Sequence, residues 1–152
     1  MNLEIANTGT TSEHMLIVTE NLVRNNDFNF KLSLSIAASK FLYTHYNTKK
    51  NWTDAQTVCK DRGGNLISFH SLQEEKAVNI KESAIWIGLR DVVGDNKNWQ
   101  WSDKTNLSWV NWGQNESNYK TEKCVAMEVS GKWADYLCDR EIEFLCKSGR
   151  FL

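Results

Sequence analysis

Residues 86–103 read WIGLRDVVGDNKNWQWSD, and this stretch decides how the chain folds. Its aromatic and β-branched residues come in short runs separated by Gly, Asn and Asp, which is typical of short strands joined by turns. The helical period disappears after Ser83. Further short runs of the same kind follow at residues 107–112, 124–129, 131–138 and 143–146. We therefore predict a C-terminal half made of short strands and long loops.

Two helices are predicted upstream of that stretch. The first runs from the N-cap candidates Asn51 and Thr53 to the glycine pair at 63–64, since Asn and Thr satisfy free N–H groups and Gly ends helices. The second opens with an S-x-x-E capping box, Ser71 with Glu74. The same part of the chain also holds two predicted strands, at residues 40–46 and 65–69.

Length and charge favour one domain with an extension. The chain has 152 residues, with 18 Lys and Arg against 19 Asp and Glu and a formal net charge of -1. No basic cluster is long enough to follow a phosphate backbone, so nucleic acid is not expected as a partner. The best apolar run, residues 32–39, is short and interrupted by serines. We expect no membrane span and no signal peptide in this chain.

Residues 1–37 are predicted to form the extension, because they contain no cysteine and no tryptophan. Alternating apolar residues at 28–36 predict a strand, and residues 14–18 are its expected partner across an Asn-rich turn. This gives a β-hairpin or neck, with a flexible linker as the alternative. An apolar hairpin face needs cover, which a second subunit of a homo-oligomer or an upstream domain would supply. Residues 38–148 then form the main domain, and residues 149–152 a tail.

The four cysteines favour disulfides over zinc, because no C-x-x-C spacing occurs. They are Cys59, Cys124, Cys138 and Cys146, and spacing alone leaves three pairings open. Disulfides persist in oxidising compartments, and three N-glycosylation sequons agree with that setting. The sequon asparagines are Asn51, Asn106 and Asn115. We expect a secreted protein or the extracellular part of a membrane protein.

No catalytic set is recognisable, so no enzyme and no catalytic residue is predicted. A nucleophile elbow and a phosphate-binding loop are both missing from the sequence, and the histidines are scattered at positions 14, 45 and 70. Six tryptophans are predicted to fill the core rather than to stack on sugars, because aromatics at alternating strand positions are usually buried. These are Trp86, Trp99, Trp101, Trp109, Trp112 and Trp133.

The order strand, helix, strand, helix, followed by WIGL, WQWSD, WVNW, GKWADYLC and EFLC, resembles the C-type lectin-like domain over residues 41–147. The resemblance implies an α+β fold with two helices, short antiparallel strands and a long loop region, to which the N-terminal β-hairpin is added. It also implies the pairs Cys59 with Cys146 and Cys124 with Cys138. This is the short form of the domain, without an additional N-terminal cystine.

The resemblance further implies a calcium site that holds sugars. Sugar-binding members use Glu-Pro-Asn in a loop, an acid two residues before the cysteine that Cys124 matches, and Trp-Asn-Asp before the cysteine that Cys138 matches. The matching metal- and carbohydrate-binding residues here are Glu116, Asn118, Glu122 and Asp135. Ser117 stands in place of the proline and Ala134 in place of the asparagine. Calcium needs six to eight oxygens, so weak binding is expected.

Several alternatives stay open around this loop. The family's Glu-Pro bond is cis, and cis costs roughly 2.5 to 4 kcal/mol before a residue other than proline. Either bound calcium offsets that cost at Ser117, or the bond is trans and the ligands separate. Three lysines could instead neutralise the carboxylates without a metal. They are Lys120, Lys123 and Lys132. A glycan on Asn115 would sit on the rim of the site.

A second, weaker metal site is predicted at Asp91 and Asp95, although Tyr119 and Lys123 stand where further oxygen ligands would be wanted. The sequence thus favours recognition of a glycan or glycoprotein through a weakened calcium site of the mannose type. The alternative is calcium-independent recognition of a protein through the loops between residues 94 and 122.

Overall fold

The computed structural model describes residues 41–78 and 82–149 in full and the backbone of residues 2–5 and 16–20. These residues form nine strands and two helices. In chain order they are β1 (Asn2–Ile5), β2 (Leu16–Glu20), β3 (Phe41–Lys50), α1 (Trp52–Asp61), β4 (Gly64–Leu66), α2 (Leu72–Ala77), β5 (Ile85–Asp91), β6 (Trp99–Trp101), β7 (Cys124–Met127), β8 (Trp133–Tyr136) and β9 (Ile142–Gly149).

The strands form one sheet in the order β1-β2-β3-β9-β5-β7-β8, with β4 paired to β9 and β6 paired to β5. The predicted antiparallel pairing holds for most neighbours. Two pairs, β2 with β3 and β5 with β9, run parallel. The last strand therefore lies between β3 and β5, so the two ends of the domain meet at the centre of the sheet.

Strand β5 explains why the opening stretch is so apolar. Ile85, Ile87 and Leu89 belong to one core cluster, whereas Trp86 belongs to a second cluster with α1. Alternate side chains of a strand point to opposite faces, so β5 is buried on both. The prediction that the tryptophans fill the core is confirmed. Trp86, Trp101 and Trp133 are fully buried, and Trp99, Trp109 and Trp112 are half-buried against the core.

Both helices begin at predicted caps. Asn51 Oδ1 accepts from the Asp54 N–H at 2.9 Å, and Ser71 Oγ accepts from the Glu74 N–H at 3.1 Å. Helix α1 ends before Gly63, whose φ of 76° lies in the left-handed region that glycine tolerates. Helix α2 is only six residues long, and its Leu72 is exposed rather than packed against the core.

Several predicted strands differ in extent from the observed ones. The strand predicted at 40–46 is longer, because β3 continues to Lys50. The one predicted at 65–69 stops at Leu66, and the residues that follow make single backbone bonds outside a ladder. Residues 107–112 form no strand, and only Trp112 makes a bridge, to Trp133. The segment is apolar because Trp109 and Trp112 lie in a loop and pack against the core.

The two disulfides join the expected partners. Cys59 of α1 bonds Cys146 of β9, and Cys124 of β7 bonds Cys138 just after β8. The first closes the domain from its first helix to its last strand. The second ties together the ends of the β7–β8 hairpin.

Strand β2 overlaps the strand predicted at 14–18. It pairs with β1 and with β3. The partner predicted at 28–36 lies outside the described residues, so the hairpin and the boundaries of the extension stay predictions. No helix in the described part of the chain is both long and apolar enough to cross a membrane.

Candidate calcium and ligand site

The four residues predicted to hold calcium come from three neighbouring places. Glu116 and Asn118 lie in the long segment between β6 and β7, Glu122 lies two residues before β7, and Asp135 lies on β8. Strands β7 and β8 are antiparallel, with Val125 opposite Asp135. The pairing therefore brings the start of β7, and Glu122 before it, to the end of β8 that carries the aspartate.

Asp135 is the most unusual of these groups. Its side chain is buried, with the residue 3% exposed, and both carboxylate oxygens lack a hydrogen-bond partner. Trp133 and Asp135 are two residues apart on a strand and so share a face. The tryptophan packs in the core, and the aspartate is therefore held beneath the loop. A buried carboxylate without donors is costly unless a cation or a proton compensates it.

Glu116 faces this carboxylate. Its N–H donates to the Gly113 carbonyl, and a Cβ added to Gly113 would lie 3.1 Å from its Cγ, so a bare backbone lets the side chain turn inward. Burial raises the pKa of Glu116, and so does Asp135, both as an acceptor for the protonated form and as a negative charge. The two carboxylates are thus neighbours, and Asp135 has no hydrogen-bond partner while both are ionised.

Two further acids add to the negative charge. Burial raises the pKa of Glu122, and the charge of Asp135 raises it further, while Arg140 opposes the change. Glu128 accepts a hydrogen bond from the Tyr136 hydroxyl, and burial together with this carboxylate raises the pKa of Tyr136 to about 12. The cluster around Asp135 therefore holds more negative charge than its single arginine can balance.

Two of the three nearby lysines lie against other groups. Ion pairs among the described residues include those of His45 with Glu143 and of Lys147 with Glu74. Lys132 Nζ donates instead to Asn111 Oδ1 at 2.6 Å. The Lys123 side chain lies against Gly94, where an added Cβ would be 2.7 Å from its Nζ. The contacts of Lys132 and Lys123 therefore do not support neutralisation of the carboxylates by these two lysines.

The peptide bond before Ser117 is trans, as are all those of the described residues. Asn115 and Ser117 both have positive φ, 61° and 21°. The turn leaves Glu116 partly buried and Asn118 exposed. Of the two alternatives that the serine left open, the loop has the trans form.

These side chains offer the oxygen ligands that a hard divalent cation binds, but too few of them. Carboxylate oxygens, surplus negative charge and the unpartnered Asp135 are features that Ca²⁺ satisfies. Within residues 41–78 and 82–149, however, no three His, Cys, Asp or Glu side chains converge as a complete metal-binding group. Ala134 adds no side-chain oxygen. Calcium at Glu116, Asn118, Glu122 and Asp135 therefore stays a prediction.

The carboxylates predicted for a second metal site hold their own loop. Asp91 accepts from the N–H groups of Val93, Gly94 and Asn96 at 2.7 to 3.1 Å. Asp95 Oδ1 accepts from the N–H groups of Lys97 and Asn98, and its Oδ2 accepts from the side-chain amide of Asn98. Backbone hydrogen bonds lower the pKa of both groups, although burial works against them at Asp91. A metal at this loop stays a prediction.

The three sequons differ in their surroundings. Asn106 and Asn115 are exposed, whereas Asn51 is partly buried and its amide donates to Asp54 as part of the helix cap. Glycosylation of all three stays a prediction, and the exposed asparagines present the freer amides.

Sequence reasoning missed one buried group near the site. Glu75 of α2 is 5% exposed and accepts hydrogen bonds from the side chains of Asn111 and Trp133, both at 2.7 Å. In the sequence it stands among polar residues of a short helix, which is typical of an exposed face. Nothing local marks it as buried.

The comparisons with known proteins agree with this fold. The family described as Lectin C-type domain matches residues 48–148. The chain is 35% identical to lymphocyte antigen 75 of Mesocricetus auratus over 118 residues, which is 70% of this chain and 7% of that relative. It thus spans only a small part of that relative's length.

Solved structures give the same result. The C-type carbohydrate-recognition domain of cow CD23, crystallised in the presence of a GlcNAc2Man3 oligosaccharide, aligns with a TM-score of 0.69 and 31% identity over 75% of this chain and 92% of that one. A calcium-independent type II antifreeze protein aligns with a TM-score of 0.69 and 25% identity, over 74% of this chain and 89% of that one.

This chain belongs to the C-type lectin domain family. Members of that family are typically binding modules without enzymatic activity, and this domain is one of them. They bind glycans or proteins.

Proposed function

We propose that the domain recognises a glycan or glycoprotein through a weakly held calcium ion at Glu116, Asn118, Glu122 and Asp135. The observation that carries the proposal is the buried Asp135, whose two oxygens have no hydrogen-bond partner and which faces a second carboxylate. When bound, calcium would supply the missing positive charge and accept sugar hydroxyls as further ligands. The cow CD23 domain, crystallised with an oligosaccharide, supports the choice of ligand class.

Weak affinity follows from what the loop offers. Glu116 and Asp135 lie together, Glu122 adds charge, and Asn118 is exposed and has to turn inward to contribute. Water or ligand hydroxyls would fill the remaining positions. Extracellular calcium modules with incomplete sets typically have Kd values of about 10⁻⁴ to 10⁻³ M, and we expect this range.

Calorimetric titration with calcium tests the ion first. We expect wild type to bind in that range and Asp135→Asn to bind at least about tenfold more weakly, because one charge is lost from the centre of the site. Asp61→Asn is the matched control, since Asp61 is exposed at the end of α1. Retention on a mannose matrix then tests the ligand. Equal retention with and without chelator would contradict the proposal.

The second candidate is calcium-independent recognition of a protein. Large apolar side chains are exposed on the loops between β5 and β7, with Val93 66% and Tyr119 63% exposed. Exposed apolar groups of this kind are typical of protein-binding surfaces. Thermal melting separates the candidates, because a ligand of the native state raises the melting temperature. A shift of several degrees on adding calcium favours the first candidate, and no shift favours the second.

The proposed setting is outside the cell. Two disulfides are stable in an oxidising compartment, and the exposed sequons at Asn106 and Asn115 would be modified on the same route. A homo-oligomer formed through residues 1–37 remains part of this proposal. Analytical ultracentrifugation of the full chain and of a chain lacking those residues tests it. The same number of subunits in both assemblies would contradict it.

A further inference from the structure

Glu75 has an ionisable side chain at a buried position, where a charge is unfavourable. It is 5% exposed, and burial raises the pKa of its carboxyl, while hydrogen bonds from Asn111 and Trp133 and the charge of Lys132 oppose that change. An apolar side chain of similar length would fill the same volume without desolvation cost. What the carboxylate adds over an apolar side chain is therefore its hydrogen bonds to the groups that it connects.

Its two oxygens bind two different segments. Oε1 accepts from Asn111 Nδ2 and Oε2 accepts from Trp133 Nε1, each at 2.7 Å. Asn111 lies in the loop that continues to Glu116, and Trp133 lies on β8 two residues before Asp135. One buried carboxylate thus binds both the loop that contains Glu116 and the strand that contains Asp135.

Backbone hydrogen bonds extend this connection to the site. Trp133 N–H donates to the Asn111 carbonyl at 2.9 Å, Gly113 N–H donates to the Trp133 carbonyl at 2.8 Å, and Glu116 N–H donates to the Gly113 carbonyl at 3.2 Å. The loop is therefore attached to β8 as an added edge, and its inward turn at Glu116 starts from that edge. Charge-assisted bonds such as those of Glu75 are about twice as strong as neutral ones.

The neighbouring Glu74 has a different role. Its carboxylate accepts from Lys147 Nζ of β9 at 2.5 Å and from the His70 N–H at 2.9 Å. It connects α2 to the central strands rather than to the loop. Two adjacent acids of one short helix therefore bind two different halves of the domain.

We propose that Glu75 is a positioning residue of the candidate site, because its carboxylate fixes the loop of Glu116 against the strand of Asp135. This inference rests on the proposed function for what the site binds. The geometric part concerns this chain's own residues and can be tested without calcium.

Glu75→Gln is the main variant, and Glu74→Gln is its matched control on the same helix. Glutamine keeps the volume but has one acceptor oxygen, and its NH₂ group faces a donor. In the full chain we expect amide hydrogen exchange at Gly113 and Glu116 to become at least tenfold faster in Glu75→Gln and to stay near wild type in Glu74→Gln. The Trp133 indole N–H resonance, followed by NMR, should shift only in Glu75→Gln.

Calcium titration of the same proteins gives the second readout. We expect Glu75→Gln to weaken calcium binding at least about fivefold and Glu74→Gln to leave it within twofold. If wild type shows no calcium binding, the proposed function fails, while the exchange and NMR data still decide the geometric part. Unchanged exchange at Gly113 and Glu116 in Glu75→Gln, or equal effects of both variants, would overturn the positioning role.

Asn111→Ala is the second variant, in case Glu75→Gln does not fold. It removes the side-chain bonds of Asn111 to Glu75, Gly131 and Lys132, and it leaves the bond between Glu75 and Trp133. We expect faster exchange at Glu116 with an unshifted Trp133 indole resonance. Wild-type exchange at Glu116 in this variant would also overturn the proposal.

Discussion

At Gly88 the backbone of β5 passes close to its neighbours. An added Cβ would lie 2.6 Å from Ser102 Oγ and 2.7 Å from the Leu66 carbonyl oxygen. The glycine also bonds both sides, since its N–H donates to the Ile67 carbonyl and its carbonyl accepts from the Ser102 N–H, each at 2.8 Å. The glycine of WIGL is therefore required for close approach of three segments.

We predict that Gly88→Ala lowers the free energy of unfolding by about 1 to 3 kcal/mol, since the contact with a backbone oxygen can be relieved only by moving the strands. Urea denaturation measures the loss. Gly149→Ala is the control, because nothing lies within 4 Å of a Cβ added there. Equal stability of the two variants would show that Gly88 tolerates a side chain.

The carboxylate of Glu116 predicts a dependence of stability on pH. The folded pKa of Glu116 is above its ordinary value, so between the two values the folded state binds more protons than the unfolded chain, and stability falls as pH rises. Without calcium, Glu116→Gln should therefore be more stable than wild type at pH 7.5, by a few tenths to about 1 kcal/mol.

This difference should shrink as the pH falls towards the ordinary glutamate value, since wild type then becomes protonated. Denaturation at several pH values in chelator measures it, with the exposed Glu141→Gln as control. A variant less stable than wild type at pH 7.5 would show that the negative charges do not repel in the folded domain.

At the level of elements, the ends of the helices are held by side chains. Asn51 and Asp54 bond each other at the start of α1, which carries Cys59 into the core. Helix α2 is too short to be stable alone and depends on tertiary contacts, which Glu74 and Glu75 provide on opposite sides. The two helices thus position a disulfide and the candidate site respectively.

Replacing the cap of α1 should have a measurable cost. We predict that Asn51→Ala lowers stability by about 0.5 to 2 kcal/mol, because the Asp54 N–H loses its acceptor, while Asn51→Ser keeps an acceptor and most of the stability. Thermal and urea unfolding of both variants measure the difference. If both lose the same amount, the cap oxygen is not the source of the effect.

At the level of the whole molecule, two disulfides constrain loops of different length. Cys59 and Cys146 are 87 residues apart, and Cys124 and Cys138 are 14 apart. The first acts on the whole domain because it joins α1 to the central β9. The second acts on the β7–β8 hairpin next to Asp135.

We predict that Cys59→Ala with Cys146→Ala lowers the free energy of unfolding by about 4 to 5 kcal/mol, and Cys124→Ala with Cys138→Ala by about 3 kcal/mol. The order follows because the entropy that a disulfide removes from the unfolded chain increases with the length of the closed loop. Urea unfolding of the two double variants measures the costs. A larger loss for the shorter loop would contradict this order and would indicate that packing around Cys124 dominates.

Much of the fold could be predicted because its signals are local. Asn51 and Ser71 are caps, Gly63 ends a helix, and the aromatic and β-branched residues of β5 predict a short strand. The loop at 107–112 could not be told from a strand, because a tryptophan that packs from a loop has the same composition as one in a sheet. The four candidate ligands could be named only through family resemblance, since they are spread over 20 residues and three segments.

The sequence by itself determined the family and the positions of both helices, because caps, glycines, apolar periods and motif residues are properties of neighbouring positions. Only the tertiary structure decided that Asp135 is buried without a partner, that Lys132 bonds Asn111, and that Glu75 connects the loop to β8. Burial and charge compensation depend on distances between residues far apart in the chain, and local sequence contains no record of those distances.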